Sequence, residues 1–188
     1  MINPQLNWAI KDSLVAYTSD LDDGELNASA GATRTDDGFA FEGVPNGDFD
    51  RDTLTGTLAF RGSVALRGHG GMLNIVIIDP CVVLENGTGE VHVAQPGATD
   101  GRQLGIAKLS ATLEGETLTC SAHLTVTGVN VLGPQYMPGA EIASLRIQLR
   151  KLRLARHLGD SRTRPRSCRC NGVPSCPRQL ADYTKAPE

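Results

Sequence analysis

Thr57-Leu58-Ala59-Phe60-Arg61-Gly62-Ser63-Val64-Ala65-Leu66-Arg67-Gly68-His69 decides the fold class: the even positions Leu58, Phe60, Val64 and Leu66 are apolar, whereas the odd positions Arg61, Ser63, Arg67 and His69 are polar. A period of two belongs to a strand with one face buried, so Arg67 and His69 fall on the face away from the core. Gly70-Gly71 follows, a pair able to take positive φ and turn a hairpin. Met72 to Leu84 then returns as a nearly continuous apolar strand broken at Asp79-Pro80. His69 is thus predicted to stand where a hairpin turns.

Further strands are predicted at 91–95, 103–113, 117–126 and 142–149. In the third of these Leu118, Cys120, Ala122, Leu124 and Val126 point one way and His123 the other. Upstream, Asn3-Pro4 reads as a cap followed by proline at the first helical position. Leu6, Ile10, Leu14 and Tyr17 then follow at helical spacing. This predicts a helix from the start of the chain to Tyr17, with Tyr17 in its last turn and Ser13 a neighbour one turn earlier. Residues 18–37 are rich in Asp, Gly, Ser and Thr and read as a polar connection with short extended pieces. The pattern predicts a mainly β domain over residues 1–150, an antiparallel sandwich or barrel-like meander with an N-terminal helix packed on it.

The chain's 188 residues suit one such domain plus a tail, and the charge is divided in the same way. Residues 1–148 carry eight Lys/Arg against eighteen Asp/Glu, while 149–188 carry ten against three. An acidic body argues against a nucleic-acid surface. The basic segment 151–188, containing Cys168, Cys170, Cys176 and several prolines, has neither period and is expected to be a poorly ordered tail. Its cysteines lack a fourth ligand and a second matching pair, which speaks against zinc. With Cys81 and Cys120 the set is odd in number and describes no disulfide framework. No apolar run reaches the roughly eighteen residues of a membrane span, and the opening does not read as a signal peptide.

Chemistry is sparse on pattern alone. A tyrosine on an apolar helical stripe, such as Tyr17, is ordinarily a core residue whose hydroxyl finds one partner at the rim, and a ligand role is the rarer alternative. His69 beside a glycine turn reads either as a solvated histidine or as an accessible polar group. His92 and His123 read as outward-facing sheet residues. There is no nucleophile elbow, phosphate loop, His-Glu zinc motif or recognisable carboxylate pair, so no enzyme class is indicated.

A resemblance goes further. Trp8-Ala9-Ile10-Lys11-x-Ser13-Leu14-x-x-Tyr17, then Phe60-Arg61-Gly62-Ser63-Val64 running into Gly68-His69-Gly70-Gly71-Met72-Leu73, then Ile78-Asp79-Pro80 and Gln135-Tyr136-x-Pro138-Gly139 form an ordered set. Together they resemble the HtaA-type haem-binding domain of actinobacterial cell-surface haem-uptake proteins. The resemblance implies ferric haem b as the ligand, Tyr17 as the axial ligand to its iron, and His69 as the hydrogen-bond partner of that oxygen. It further implies Ser13 close to a propionate and Tyr136 in the pocket wall. Arg67 is a hypothetical propionate partner, and Gly70 with Gly71 would let backbone approach the porphyrin edge. It implies a surface or secreted location, and haem donors or downstream uptake proteins as partners. Two departures stand out: Gln135 replaces an aromatic expected against the porphyrin, and Cys81 replaces one common after Asp-Pro. The rival expectation is a structural or adhesive β-domain that has lost haem at Gln135.

Overall fold

The computed structural model describes residues 2–45 and 48–151; the expected tail lies outside them, apart from Lys151. In chain order the elements are β1 (Ile2–Trp8), α1 (Asp12–Asp20), β2 (Glu25–Ser29), β3 (Ala32–Thr35), β4 (Gly38–Gly43), β5 (Gly56–Arg61) and β6 (Ser63–Gly68). A one-turn helix, His69–Gly71, leads to β7 (Leu73–Ile78), β8 (Cys81–Glu85), β9 (Thr88–Ala94), β10 (Gln103–Glu114), β11 (Thr117–Leu124), α2 (Val126–Leu132) and β12 (Glu141–Lys151). All pairings are antiparallel.

Eight strands, in the order β1-β12-β11-β10-β9-β8-β5-β4, form a ring that closes because β1 pairs with both β12 and β4. β3 extends the ring beside β4. The ring is filled by alternate residues, among them Leu6, Trp8, Phe41, Leu58, Phe60, Val82, Val91, Leu118 and Ile147, all buried. The predicted alternation of Leu118, Cys120, Ala122 and Leu124 against His123 is borne out. Val126 is not its continuation: it opens α2 and is exposed.

Residues 57–69 carry one alternating pattern shared by two sheets. β5 lies in the ring, but at Gly62 (φ 141) the chain leaves it, and β6 pairs with β7 and β2 in a separate three-stranded sheet. The return crosses at the same corner. Asp79 (φ 44) donates its N–H to the Gly62 carbonyl at 2.8 Å, and its Oδ1 accepts the Gly62 N–H at 2.9 Å. The predicted interruption at Asp79-Pro80 is therefore a sheet-switching point, and the β6–β7 hairpin it frees carries His69 to the edge of the domain.

The start of the chain departs from expectation. Residues 2–8 form a strand, and the helix begins only at Asp12. Leu6, Ile10 and Leu14 recur every four residues, a spacing that also satisfies a period of two, and Pro4, Leu6, Trp8 and Ile10 are all buried. Two strands share this segment's backbone: Gln5–Asn7 pairs with both β4 and β12. Pro4, with no N–H to give, sits just outside that doubly paired run. Trp8 is tied further by its Nε1–H donating to the Ala143 carbonyl at 2.9 Å. Ile10, wholly buried at φ 62, turns the chain from strand to helix in a region that β-branched residues avoid.

Candidate functional site

Helix α1 packs against β2 and β6 through Leu14 and Thr18, the Thr18 hydroxyl donating to the Leu14 carbonyl at 2.8 Å. That leaves Ser13 and Tyr17, four residues apart, together on the flank of the helix. Tyr17 is thus not on the buried stripe, as its spacing suggested; it is 48% exposed. The face it occupies borders a cavity of about 550 Å3 lined by Ser13, Leu14, Tyr17, His69, Met72, Leu73, Gln135 and Tyr136. Three pieces of chain remote in sequence therefore meet there: α1, the β6–β7 turn, and the loop after α2.

The second piece is positioned by backbone conformation. β6 ends at Gly68, and His69 (φ 52), Gly70 (φ 60) and Gly71 (φ 93) then run in succession through positive φ. Only the two glycines adopt it at no steric cost. The turn presents the imidazole to the helix: the Tyr17 hydroxyl and His69 Nε2 are hydrogen-bond partners, with ring centroids 5.6 Å apart and planes inclined at 42°. Either atom can hold the proton of that bond. A neutral imidazole accepts from the phenol, and a phenolate accepts from the Nε2–H.

The third piece follows α2, whose first turn is capped by the Thr125 hydroxyl accepting the Gly128 N–H at 2.9 Å. Gly128 lies so close to β10 that a Cβ there would sit 1.9 Å from the Ile106 carbonyl oxygen. Gly133 ends the helix at φ 120, and the Gln135 amide nitrogen donates to the Leu132 carbonyl at 3.2 Å. Gln135 thereby folds back over the helix end at the cavity rim, and Tyr136, half-buried, packs against the core beside it.

Of the residues singled out from sequence, Tyr17, His69, Ser13 and Tyr136 are brought together. Arg67 and Gly70 are not part of the lining. Arg67 is exposed on β6, in register between Glu25 on β2 and Asn74 on β7. Gly70 contributes a backbone N–H to the carboxylate of Asp23, 2.6 Å away. Sequence reasoning missed Asp23, the exposed Met72, and the apolar floor of Leu14 and Leu73. Among the described residues no group of three or more His, Cys, Asp or Glu is placed to hold a bare metal ion, and no helix is long and apolar enough to cross a membrane.

What this arrangement suits is a largely apolar ligand of cofactor size that can meet an oxygen donor at the cavity wall. The volume lies in the range of small-molecule and cofactor sites, roughly 300–1,000 Å3. Leu14, Met72 and Leu73 give aliphatic wall and Tyr136 an aromatic ring, and the Tyr17 hydroxyl with its imidazole partner stands at the edge.

Residues 3–148 match the family model of HtaA. No curated protein matches the sequence. Among solved structures, the N-terminal domain of HtaA from Corynebacterium glutamicum superposes with a TM-score of 0.66 at 20% identity, covering 79% of this chain and 96% of that one. The C-terminal domain of the same protein gives 0.63 at 19%, covering 79% and 98%. The haem-binding protein HtaB of that organism gives 0.59 at 16%, covering 80% and 94%. At these identities the likeness is one of fold.

Proposed function

This chain belongs to the HtaA family, and from that premise we propose that it binds ferric haem b in the cavity beside α1, with Tyr17 as the axial ligand, and passes it on in haem-iron acquisition. The observation that carries the reading is the Tyr17–His69 pair at the wall of an open apolar cavity. HtaB, whose fold this chain shares, is itself a haem-binding protein.

The chemistry follows from the pair. Ferric iron is a hard Lewis acid for which phenolate is a suitable anionic donor. A free phenol ionises only near pH ~10, so such a ligand needs help at neutral pH. Here the help is the imidazole. With iron bound, the Nε2–H of His69 would donate to the phenolate along the existing hydrogen bond, orienting it and tempering its donor strength. Leu14, Leu73, Met72 and the Tyr136 ring are the apolar surface that would receive the macrocycle. Ser13, one turn before Tyr17 at the cavity wall, is the propionate partner in this reading; Arg67 lies on β6 outside the lining, and Gly70 serves by holding the turn. Holding haem through a single protein ligand would suit a carrier that must surrender its cargo to a receiving protein at the cell surface.

Titrating the purified protein with haemin and recording the absorption spectrum tests this. A tyrosinate-type ferric spectrum that vanishes in Tyr17→Ala is expected; free-haemin behaviour in the wild type would favour the rival structural or adhesive role.

A further inference from the structure

Tyr17 and His69 are both exposed, and 52 residues separate them, so packing alone does not explain why their polar atoms meet. The turn bearing His69 has little side-chain support of its own: a Cβ added at Gly70 or Gly71 would meet nothing within 4 Å. Within the turn, the Met72 N–H donates to the His69 carbonyl at 3.2 Å. What ties it to the rest of the domain is a carboxylate. Asp23 Oδ1 accepts the His69 N–H at 3.0 Å, and Oδ2 accepts the Gly70 N–H at 2.6 Å. Two successive N–H groups at positive φ form a small anion-binding concavity, and Asp23 fills it.

Asp23 is itself anchored to the helix that bears Tyr17. It follows the last residue of α1, Asp20, by three positions, inside a tight loop. There the Leu21 N–H donates to the Thr18 carbonyl at 3.4 Å and the Gly24 N–H to the Leu21 carbonyl at 3.1 Å. A Cβ on Gly24 would lie 1.8 Å from the Thr18 oxygen, and one on Gly68 would lie 2.6 Å from Leu21 Cδ1, so loop, helix end and strand end are in close contact.

We propose that Asp23 is the positioning residue of the site: by clamping the backbone of His69 and Gly70 to the loop that ends the Tyr17 helix, it sets the Tyr17–His69 hydrogen bond. The Gly70 N–H, then the His69 N–H, hold its carboxyl below the usual value of 3.8, so the clamp is ionised at neutral pH. Because both N–H groups are spent on Asp23, they are not available to a ligand carboxylate. The haem consequences of this proposal rest on the function proposed above; the clamp itself does not.

A double-mutant cycle with an apo-protein arm tests it. Asp23→Ala is expected to weaken haemin binding about 10-fold, the scale on which groups that orient a metal ligand act, and to shift the bound spectrum toward that of His69→Ala. Asp23→Asn, keeping one acceptor oxygen, should fall between. In a His69→Ala background Asp23→Ala should add almost nothing, because its effect travels through His69. An equal loss in both backgrounds, or wild-type affinity and spectrum in Asp23→Ala, overturns the proposal. In the apo protein, hydrogen exchange at the His69 and Gly70 amides should accelerate at least about 10-fold in Asp23→Asn and Asp23→Ala, while core amides stay protected. Unchanged exchange overturns the proposal whether or not haem binds, whereas a wild type that ignores haemin but shows the accelerated exchange defeats only the function proposed above.

Discussion

Replacing Tyr17 by Phe separates the site from the fold. The ring stays, so the contacts of α1 are kept, and only the hydroxyl is lost. Its partner His69 is exposed, so the imidazole nitrogen passes to water and is not left as a buried orphan. The stability change should stay within ~0.5 kcal/mol, as for surface substitutions, which for a domain of this size moves Tm by less than about 2 °C. Ligand binding should respond on another scale. Groups that merely orient a metal ligand are worth roughly 10–100-fold in affinity, so losing the ligand itself should cost at least about 100-fold, or about 2.8 kcal/mol. The assay is a thermal melt followed by circular dichroism, paired with a haemin titration read by absorption, on Tyr17→Phe and Tyr136→Phe side by side. The expected outcome is unchanged melting in Tyr17→Phe with loss of the tyrosinate-type spectrum, and retention of that spectrum in Tyr136→Phe. If Tyr17→Phe keeps the wild-type spectrum and Tyr136→Phe loses it, the ligand comes from the loop after α2 and the reasoning from α1 is wrong.

Gly62→Ala should destabilise the domain by about 3 kcal/mol, since a Cβ would sit 2.5 Å from the Ala32 nitrogen and 2.7 Å from its Cβ, at φ 141. A fall in Tm of roughly 6–12 °C is expected, and a melt unmoved by the substitution would show that the sheet corner tolerates rearrangement. Burial pushes the Cys120 thiol up to about 12 and raises that of Cys81 as well. Iodoacetamide at pH 8 followed by peptide mapping should therefore leave Cys120 unmodified in native protein and modify both in guanidinium; rapid native labelling of Cys120 would mean that β11 opens readily.

The hairpin was legible because two independent signals agree there: a strict period of two up to His69, and a glycine pair that only a positive-φ turn requires. The helix was legible in kind but not in extent, because residues spaced by four fit both a helix and a buried strand face. Pairing to β4 and β12, invisible to any local pattern, resolves the tie in favour of strand up to Trp8. Helix α2 was hidden in a run of valine, threonine and glycine whose propensity favours extension; its Thr125 cap and the close approach of Gly128 to Ile106 override that preference. Asp23 left no signal at all. Beside Asp20 and Asp22 it is one more acid in a polar connection, and its two partners are main-chain groups 46 and 47 positions away. Strand alternation also set Arg67 beside His69, an inference that fails once Gly68 ends the strand and His69 enters positive φ.

The doubly paired first strand has a kinetic meaning. Asn3 lies opposite Arg150 and Leu6 opposite Ile147, so the seam of the barrel joins the earliest and the latest parts of the domain to be made. Until residues 141–151 are available, β1 and β11 each present an unpaired edge, and the core they enclose stays open to water along that line. Closing so long a loop is slow relative to forming local hairpins. Local pairing of β6 with β7 is expected to precede closure of the seam in a nascent chain. During that interval its greatest exposure to mispairing with another chain lies at the seam, whereas the Tyr17, Asp23 and His69 part of the site is made within the first half of the domain and only Gln135 and Tyr136 arrive late.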